Sequence, residues 1–464
     1  MKKKFSYMTG DLRRLAGFLL ITLALGSCRK FLTLQPVDYV SDEVTIVDAS
    51  SAQTAVRGVY RALANDNYYG SLFQSFGYLS GDNVQWTGSQ SIIQQFITHT
   101  LSADNGNLAS VWTGIYATIN QANHVIGKVP AVRDATLTQA LKDQLTGEAY
   151  FIRGLAYFDL ARTWGGVPLA LTPTLASSDK NHLQRSSLDQ TYAQVLSDLN
   201  AADSLLPLPS ASATPNPVRA NRQTVWALKA RYYLYRQAWA LAESYASQVI
   251  ADTKSYSLLT PYSSFFNPAS AAATRESVFE LSYSSTYPNA HRGYWQPPAN
   301  GGTRQWAPND AFVALVNDPA IGGNRSALVA KTSAGLWYGN LYYRSPATDP
   351  AYVIRIAELY LIRAEARARQ NNDLTGALSD LNAVRTRAGV GGSPATTQAD
   401  ILLAIENERR IEFAFEPHRW YDLVRTGRAG DVLGVTDANK YLFPIPVSQV
   451  ELGKGNLPQN QGYN

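Results

Sequence analysis

Apolar and small residues recur along most of the chain at the spacing of one helix face, and that pattern predicts helices near 47–64, 108–128, 138–164, 188–206, 351–369, 374–388 and 398–416. Stop signals agree with it: Gly165-Gly166 with Pro168 behind them, Gly389, and Pro417. Between about 254 and 349 the periodicity fades and Pro, Gly, Ser and Asn become frequent. A structureless loop of that length is improbable, so the stretch reads as an irregular subdomain with short strands such as "SVFELSYSS" lying against the helices.

Four stretches share one theme: Val56-Arg57-Gly58-Val59-Tyr60-Arg61, Ile152-Arg153-Gly154-Leu155-Ala156-Tyr157, Leu228-Lys229-Ala230-Arg231-Tyr232-Tyr233 and Ile362-Arg363-Ala364-Glu365-Ala366-Arg367. In the third, Ala230, Tyr233, Ala242, Ala246 and Val249 fall close to the small, aromatic, small spacing of a tetratricopeptide helix pair. The fourth continues into a second helix with "NNDLTG" as its turn. Small residues let antiparallel helices approach, and neighbouring pairs then stack. The alternative is a generic α-bundle with coincidental alanines. The expected fold is mainly α: a tetratricopeptide-like scaffold of helical pairs with a loop-rich subdomain carrying a few short strands.

The first 27 residues differ from all this. Five basic residues precede twelve almost wholly apolar positions, Leu15 to Gly26, which is the layout of a secretory signal; as a helix the run rises only about 18 Å, too short to span a membrane. Leu25-Gly26-Ser27-Cys28 resembles the lipobox of bacterial lipoproteins, which makes Cys28, the sole cysteine, an expected lipidation site and 28–45 its tether. More than one acyl chain gives a stable anchor. Cleavage before Cys28 leaves 36 basic against 35 acidic residues, so the +5 of the full chain belongs mostly to the signal and implies no nucleic-acid partner. With no second cysteine there are no disulfides, and stability must come from packing.

Catalytic patterns are sparse. HExxH, GxSxG, P-loop and strand-opening GxGxxG motifs are absent, and the five histidines have no ligand spacing, so no metal and no cofactor is implied. Glycosidase carboxylates meet in space rather than along the chain, which leaves a hydrolase open on residues alone. The acidic run Glu406, Glu408, Glu412 and Glu416 alternates with Arg409, Arg410 and Arg419, which favours structural ion pairs. Trp112, Trp164, Trp226, Trp239 and Trp420 sit in helical settings and read as core. Trp86, Trp295, Trp306 and Trp337 stand among glycines and prolines with Tyr294 and Tyr338 alongside. Flat apolar rings beside polar side chains suit the C–H face and rim hydroxyls of a sugar.

The lipobox with Phe31-Leu32 and Gln35-Pro36, the helix "GEAYFIRGLAYFDLARTWGGVPL", the segment "ERRIEFAFEPHRWYDLVRTG" and the tail "YLFPIPVSQVELGKGNLPQNQGY" together resemble the SusD/RagB family of Bacteroidetes outer-membrane lipoproteins, over nearly the whole chain. The resemblance implies a helical N-terminal part (46–253), an irregular ligand-facing region (254–349) and a C-terminal helical part with the tail (350–464). It also implies a non-catalytic protein anchored at the outer membrane and facing the cell exterior, which binds glycans, or peptides in the RagB branch, for a SusC-like TonB-dependent transporter. A protein-binding tetratricopeptide scaffold is the competing class. Thr33 departs from a common acidic residue of the tether, and the chain is short around 170–190 and 317–350, which leaves the ligand class open. The family's ligand loops correspond to Asp82, Asn83 and Trp86 and to the stretch 291–338, giving Arg292, Tyr294, Trp295, Trp306 and Trp337 as further ligand-binding candidates.

Overall fold

The computed structural model describes residues 45–176, 179, 183–209, 216–267 and 273–463; the signal, Cys28 and all but the last residue of the 28–45 tether lie outside them. Residues 48–464 form one compact unit.

The first helix, α1 (Ala49–Leu63), is started by Asp48, whose carboxylate accepts from the Ser51 amide at 2.7 Å while Ser51 Oγ caps the Asp48 amide. Its apolar stripe, Ala52, Val56, Val59 and Leu63, is buried. Next come α2 (Leu72–Leu79), β1 (Val84–Trp86), α3 (Ser91–Ile97), α4 (Gly106–Lys128) and α5 (Gln139–Trp164). The central helix α5 is buried on all sides from Leu145 to Phe158 save Tyr150, and on to Trp164, where Gly165 at φ +81° ends it. It packs between α4 and α6 (Leu188–Leu205). Gly154 permits that approach: a Cβ there would stand 3.2 Å from Leu199.

A second layer follows: α7 (Arg222–Tyr235), α8 (Trp239–Ile250), and, after the irregular region, α11 (Ile356–Gln370), α12 (Leu374–Arg387), α13 (Gln398–Glu412) and α14 (Arg419–Arg425). The α7/α8 and α11/α12 hairpins pack side by side through α8 and α11, with Ala230, Ala242, Ala246, Ala364, Ala368 and Ala377 fully buried, as the small-residue pattern predicts. Between the layers' helices lie β2 (Ser277–Leu281), α9 (His291–Trp295), β3 (Trp306–Pro308), α10 (Asp310–Asn317), β4 (Val329–Lys331), β5 (Trp337–Gly339) and β6 (Ala351–Arg355). Three two-stranded antiparallel sheets result: β1 with β3, β2 with β6, and β4 with β5. Two helix boundaries are corrected. The expected 351–369 helix begins only at Ile356, because Ala351-Tyr352-Val353-Ile354-Arg355 is buried throughout and pairs with β2 as a strand. Helix α13 likewise stops at Glu412, before the turn that leads to Pro417.

The acidic run proves structural. Arg355, at the end of β6, donates to Glu276 (3.1 Å), Glu412 (2.8 Å) and Glu416 (2.6 Å), and Arg387 bridges Glu276 and Glu412. Arg325 bonds Glu408, and Arg231 bonds Glu358 at 2.5 Å. Every one of these side chains is buried. The network joins β2, β6, α11, α12 and α13, so the irregular region is tied to the helical frame by charge as well as by apolar packing.

Candidate functional site

Strands β1, β3 and β5 come together beside the 291–305 loop, and they carry most of the loop aromatics to one place. Trp86 faces Trp306 across the β1–β3 ladder, and the Thr87 amide extends that ladder to the Gln305 carbonyl at 2.9 Å. Trp337 pairs with Lys331 across the β4–β5 hairpin, whose ammonium stands 5.1 Å from its ring centroid. Arg304 closes the gap: its Nε donates to the Trp337 carbonyl at 2.7 Å, its amide to the Gln296 carbonyl at 2.8 Å, and its carbonyl accepts from Thr87 Oγ1. Its backbone has φ +47°, left-handed for a residue with a β-carbon.

The candidate rings divide into two groups. Trp86, Tyr294 and Trp337 are half-buried and reach the surface. The Trp86 ring lies against the backbone of Gly88, where a Cβ would fall 2.2 Å from it, so only glycine fits there. Tyr294 stacks on Trp306 with centroids 4.3 Å apart and planes 20° from parallel. Trp295 and Trp306 are corrected from ligand-stacking rings to core: each is 1% exposed. Tyr78, Phe415 and Trp306 enclose Trp295, and Gly339 presses on its ring so closely that a Cβ would stand 2.4 Å away. These two rings support the surface ones from beneath.

Asp82 and Asn83 are also corrected from ligand contacts to loop anchors, because their polar atoms are already engaged. Asp82 receives Arg419 at 2.7 Å and Arg410 at 3.2 Å; burial works to raise its pKa, but the Arg419 bond and the two guanidinium charges outweigh that and hold it below the ordinary carboxylate value. Asn83 is buried and brackets Arg410, donating to its carbonyl at 2.9 Å and accepting from its Nε at 2.8 Å. The pair fixes the end of β1 to α13 and α14 and so sets where Trp86 stands.

Arg292 remains at the site, half-buried, with Nη2 on the Asn300 carbonyl. Arg304 and Lys331 were not singled out in the sequence; the signal for Arg304 was its place two residues before Trp306 in "TRQWAP". Beneath the patch, His291 is fully buried against Tyr342, and desolvation brings its pKa down to about 3. A separate apolar groove of about 560 Å³ runs between α4 and the tail, lined by Trp112, Tyr116, Leu183, Leu452 and Leu457. There Asn123 is tied to the Ala170 and Thr172 carbonyls, so the groove offers chiefly apolar contact. Among the described residues no three His, Cys, Asp or Glu side chains are grouped to hold a metal ion, and no helix is long and apolar enough to cross a membrane.

Helical pairs wrapped around an irregular region with a surface aromatic patch define a class of scaffold, and comparison with known proteins gives it a family. A model described as "Starch-binding associating with outer membrane" matches residues 31–234, and the model of the SusD family matches 329–435. The chain belongs to the SusD family. It is similar to SusD-like protein P2 of Formosa agariphila, at 24% identity over 96% of this chain and 99% of the relative. It is also similar to the starch-binding protein SusD of Bacteroides thetaiotaomicron, at 25% identity over 82% of each. Among solved structures, a laminarin-binding SusD-like protein shares the fold with a TM-score of 0.77 and 23% identity, covering 90% of this chain and all of that one.

Proposed function

We propose that this chain is a non-catalytic binding protein for oligo- or polysaccharides, held at the outer face of the outer membrane by acylated Cys28, and that it delivers its ligand to a SusC-like TonB-dependent transporter. The observation that carries the reading is the convergence of three half-buried rings, Trp86 on β1, Trp337 on β5 and Tyr294 on the short helix α9, around the buried Trp295 and Trp306. Rigid aromatic faces receive sugar rings with little loss of side-chain freedom. The family model's description as starch-binding, a relative named for starch binding and a fold neighbour named for laminarin all support a glycan rather than a peptide.

Incubation of the purified protein with a broad polysaccharide panel tests this. Retention without released sugar is expected. Released sugar makes it an enzyme, and neither outcome leaves the scaffold reading. For the anchor, Cys28→Ser should move the protein out of the membrane fraction and abolish acyl-chain labelling; unchanged labelling refutes that assignment. For the partner, detergent-solubilised membranes should yield a large TonB-dependent porin with the protein, and its absence at native expression contradicts delivery.

A further inference from the structure

The charged side chains of the aromatic patch, Arg292, Arg304 and Lys331, are all cationic, and among the described residues none of them forms an ion pair with a carboxylate. Pairing is the rule for arginines inside this fold: Arg231, Arg355, Arg387, Arg419 and Arg425 each meet an aspartate or glutamate. Arg185 has no carboxylate, but its guanidinium is filled by the carbonyls of Trp164, Gly166 and Pro458 and by the Asn460 side chain. At the patch the donors are left over. Arg304 uses Nε on the Trp337 carbonyl, and neither of its Nη atoms has a bond among the described residues. Arg292 uses Nη2 on the Asn300 carbonyl, and its buried Nε has no partner. Lys331 stands over Trp337 and forms no ion pair among the described residues. The carboxylates that could neutralise this end of the molecule are engaged elsewhere: Asp82 with Arg410 and Arg419, and Asp349, which feels the Arg292 charge, with Arg344 at 3.1 Å.

Arg304 is also held where it is at a conformational cost. A non-glycine residue at φ +47° is strained, and such strain persists where the surroundings fix the residue for use. Partial burial pulls its pKa down, the direction expected of a guanidinium with no carboxylate beside it. Planar guanidinium groups match carboxylate and sulfate oxygens two at a time, whereas neutral sugar hydroxyls gain as much from Asp, Asn or Gln.

Resting on the glycan reading, we propose that Arg292, Arg304 and Lys331, set around Trp86, Tyr294 and Trp337, make this a site for acidic saccharides, whose carboxylate or sulfate groups pair with the three cations while the sugar rings stack on the aromatic ones. Neutral glucans fill only the stacking half of such a site.

The test uses matched polymers on the full chain in affinity electrophoresis and calorimetry: polygalacturonate against its carboxyl-reduced neutral form, and dextran sulfate against dextran. The site predicts at least tenfold tighter binding of an acidic polymer than of its neutral counterpart, weakening as salt rises. Which acidic polymer binds distinguishes carboxylate from sulfate recognition. Arg292→Gln and Arg304→Asn, the latter suited to the left-handed backbone, should each lower the affinity for the acidic polymer about 5- to 20-fold while leaving that for its neutral counterpart within about twofold; Arg304→Asn also gives up the bond to the Trp337 carbonyl and should lower the thermal midpoint. Arg133→Gln, on a remote exposed loop, should leave the affinity for the acidic polymer unchanged and so separate the site from general attraction of polyanions. Equal or tighter binding of the neutral partners, or wild-type affinity in both arginine variants, overturns the inference and leaves glycan binding standing. Failure of the wild-type chain to retain any neutral or acidic polysaccharide overturns both.

Discussion

Replacing Arg355 by Met should strip the core of its central cation while keeping most of the side-chain volume. In the native protein three carboxylates converge on Arg355, those of Glu276, Glu412 and Glu416, and all four side chains are essentially solvent-free. Arg387 remains against Glu276 and Glu412, but Glu416 loses its ion pair. Removing one partner of a buried pair costs about 3–5 kcal/mol. The loss should depend on pH with a definite sign. Burial already raises the Glu416 pKa against the pull of Arg355, and without that guanidinium the pKa rises further. A carboxyl whose folded pKa lies above its unfolded value contributes stability below the unfolded value and loses it as pH rises through the folded one. The variant should therefore be most defective at pH 7 and recover towards pH 5. Adding Glu416→Gln should restore part of the loss at pH 7, a coupling that separate single mutants cannot show. Urea unfolding followed by tryptophan fluorescence measures all of this. A variant within about 1 kcal/mol of wild type at pH 7, or one whose deficit does not change between pH 5 and 7, would falsify the buried network.

The two groups of tryptophans should separate under truncation. Trp295→Ala, deep against Tyr78 and Phe415, should cost about 3–5 kcal/mol of stability, whereas Trp337→Ala should cost less than about 1 kcal/mol; similar unfolding midpoints for the two would contradict the burial assigned to Trp295. His291, held neutral with a pKa of about 3 by desolvation, contributes stability that is present above about pH 6.5 and is lost as pH falls, by roughly 4–5 kcal/mol at pH 3. Asp349, pushed up to about 6 by burial, acts oppositely between about pH 4 and 6, so acid titration of His291→Gln against wild type isolates the histidine; parallel stability curves from pH 7 to 4 would remove it as the cause. Gly339→Ala should destabilise by about 1–3 kcal/mol, because its Cβ meets the Trp295 ring and the ring has no room to retreat; a stability equal to wild type would show that the ring can move.

Local pattern carried the helices well: α1 buries a stripe that repeats at the helical period, Ala52, Val56, Val59 and Leu63, and the central α5 is apolar or small over most of its length. The alternation of Glu408, Glu412 and Glu416 with arginines marked the run as ionic, but the partners themselves, Arg325, Arg355 and Arg387, lie on other elements. What failed depends on partners remote in the chain. Asn83 is bonded to Arg410, and Trp295 lies on Phe415; no periodicity near residue 83 or 295 reports either neighbour. Glycine- and proline-rich surroundings mark a loop, yet a loop ring can still be sealed by another part of the fold, which is how Trp295 and Trp306 read as surface and fold as core. The strand at 351–355 was hidden for a related reason. Its apolar residues lead into α11 with only Arg355 between and no glycine or proline to mark the change, and only pairing with β2 decides that it is extended.

The most direct test of a glycan-binding aromatic patch is the affinity of Trp337→Ala and Trp86→Ala for whichever polysaccharide the wild-type chain retains, measured calorimetrically beside the thermal midpoint. The account predicts a loss of about 1–3 kcal/mol in binding for at least one of them with an unchanged midpoint. Wild-type affinity in both variants would contradict it.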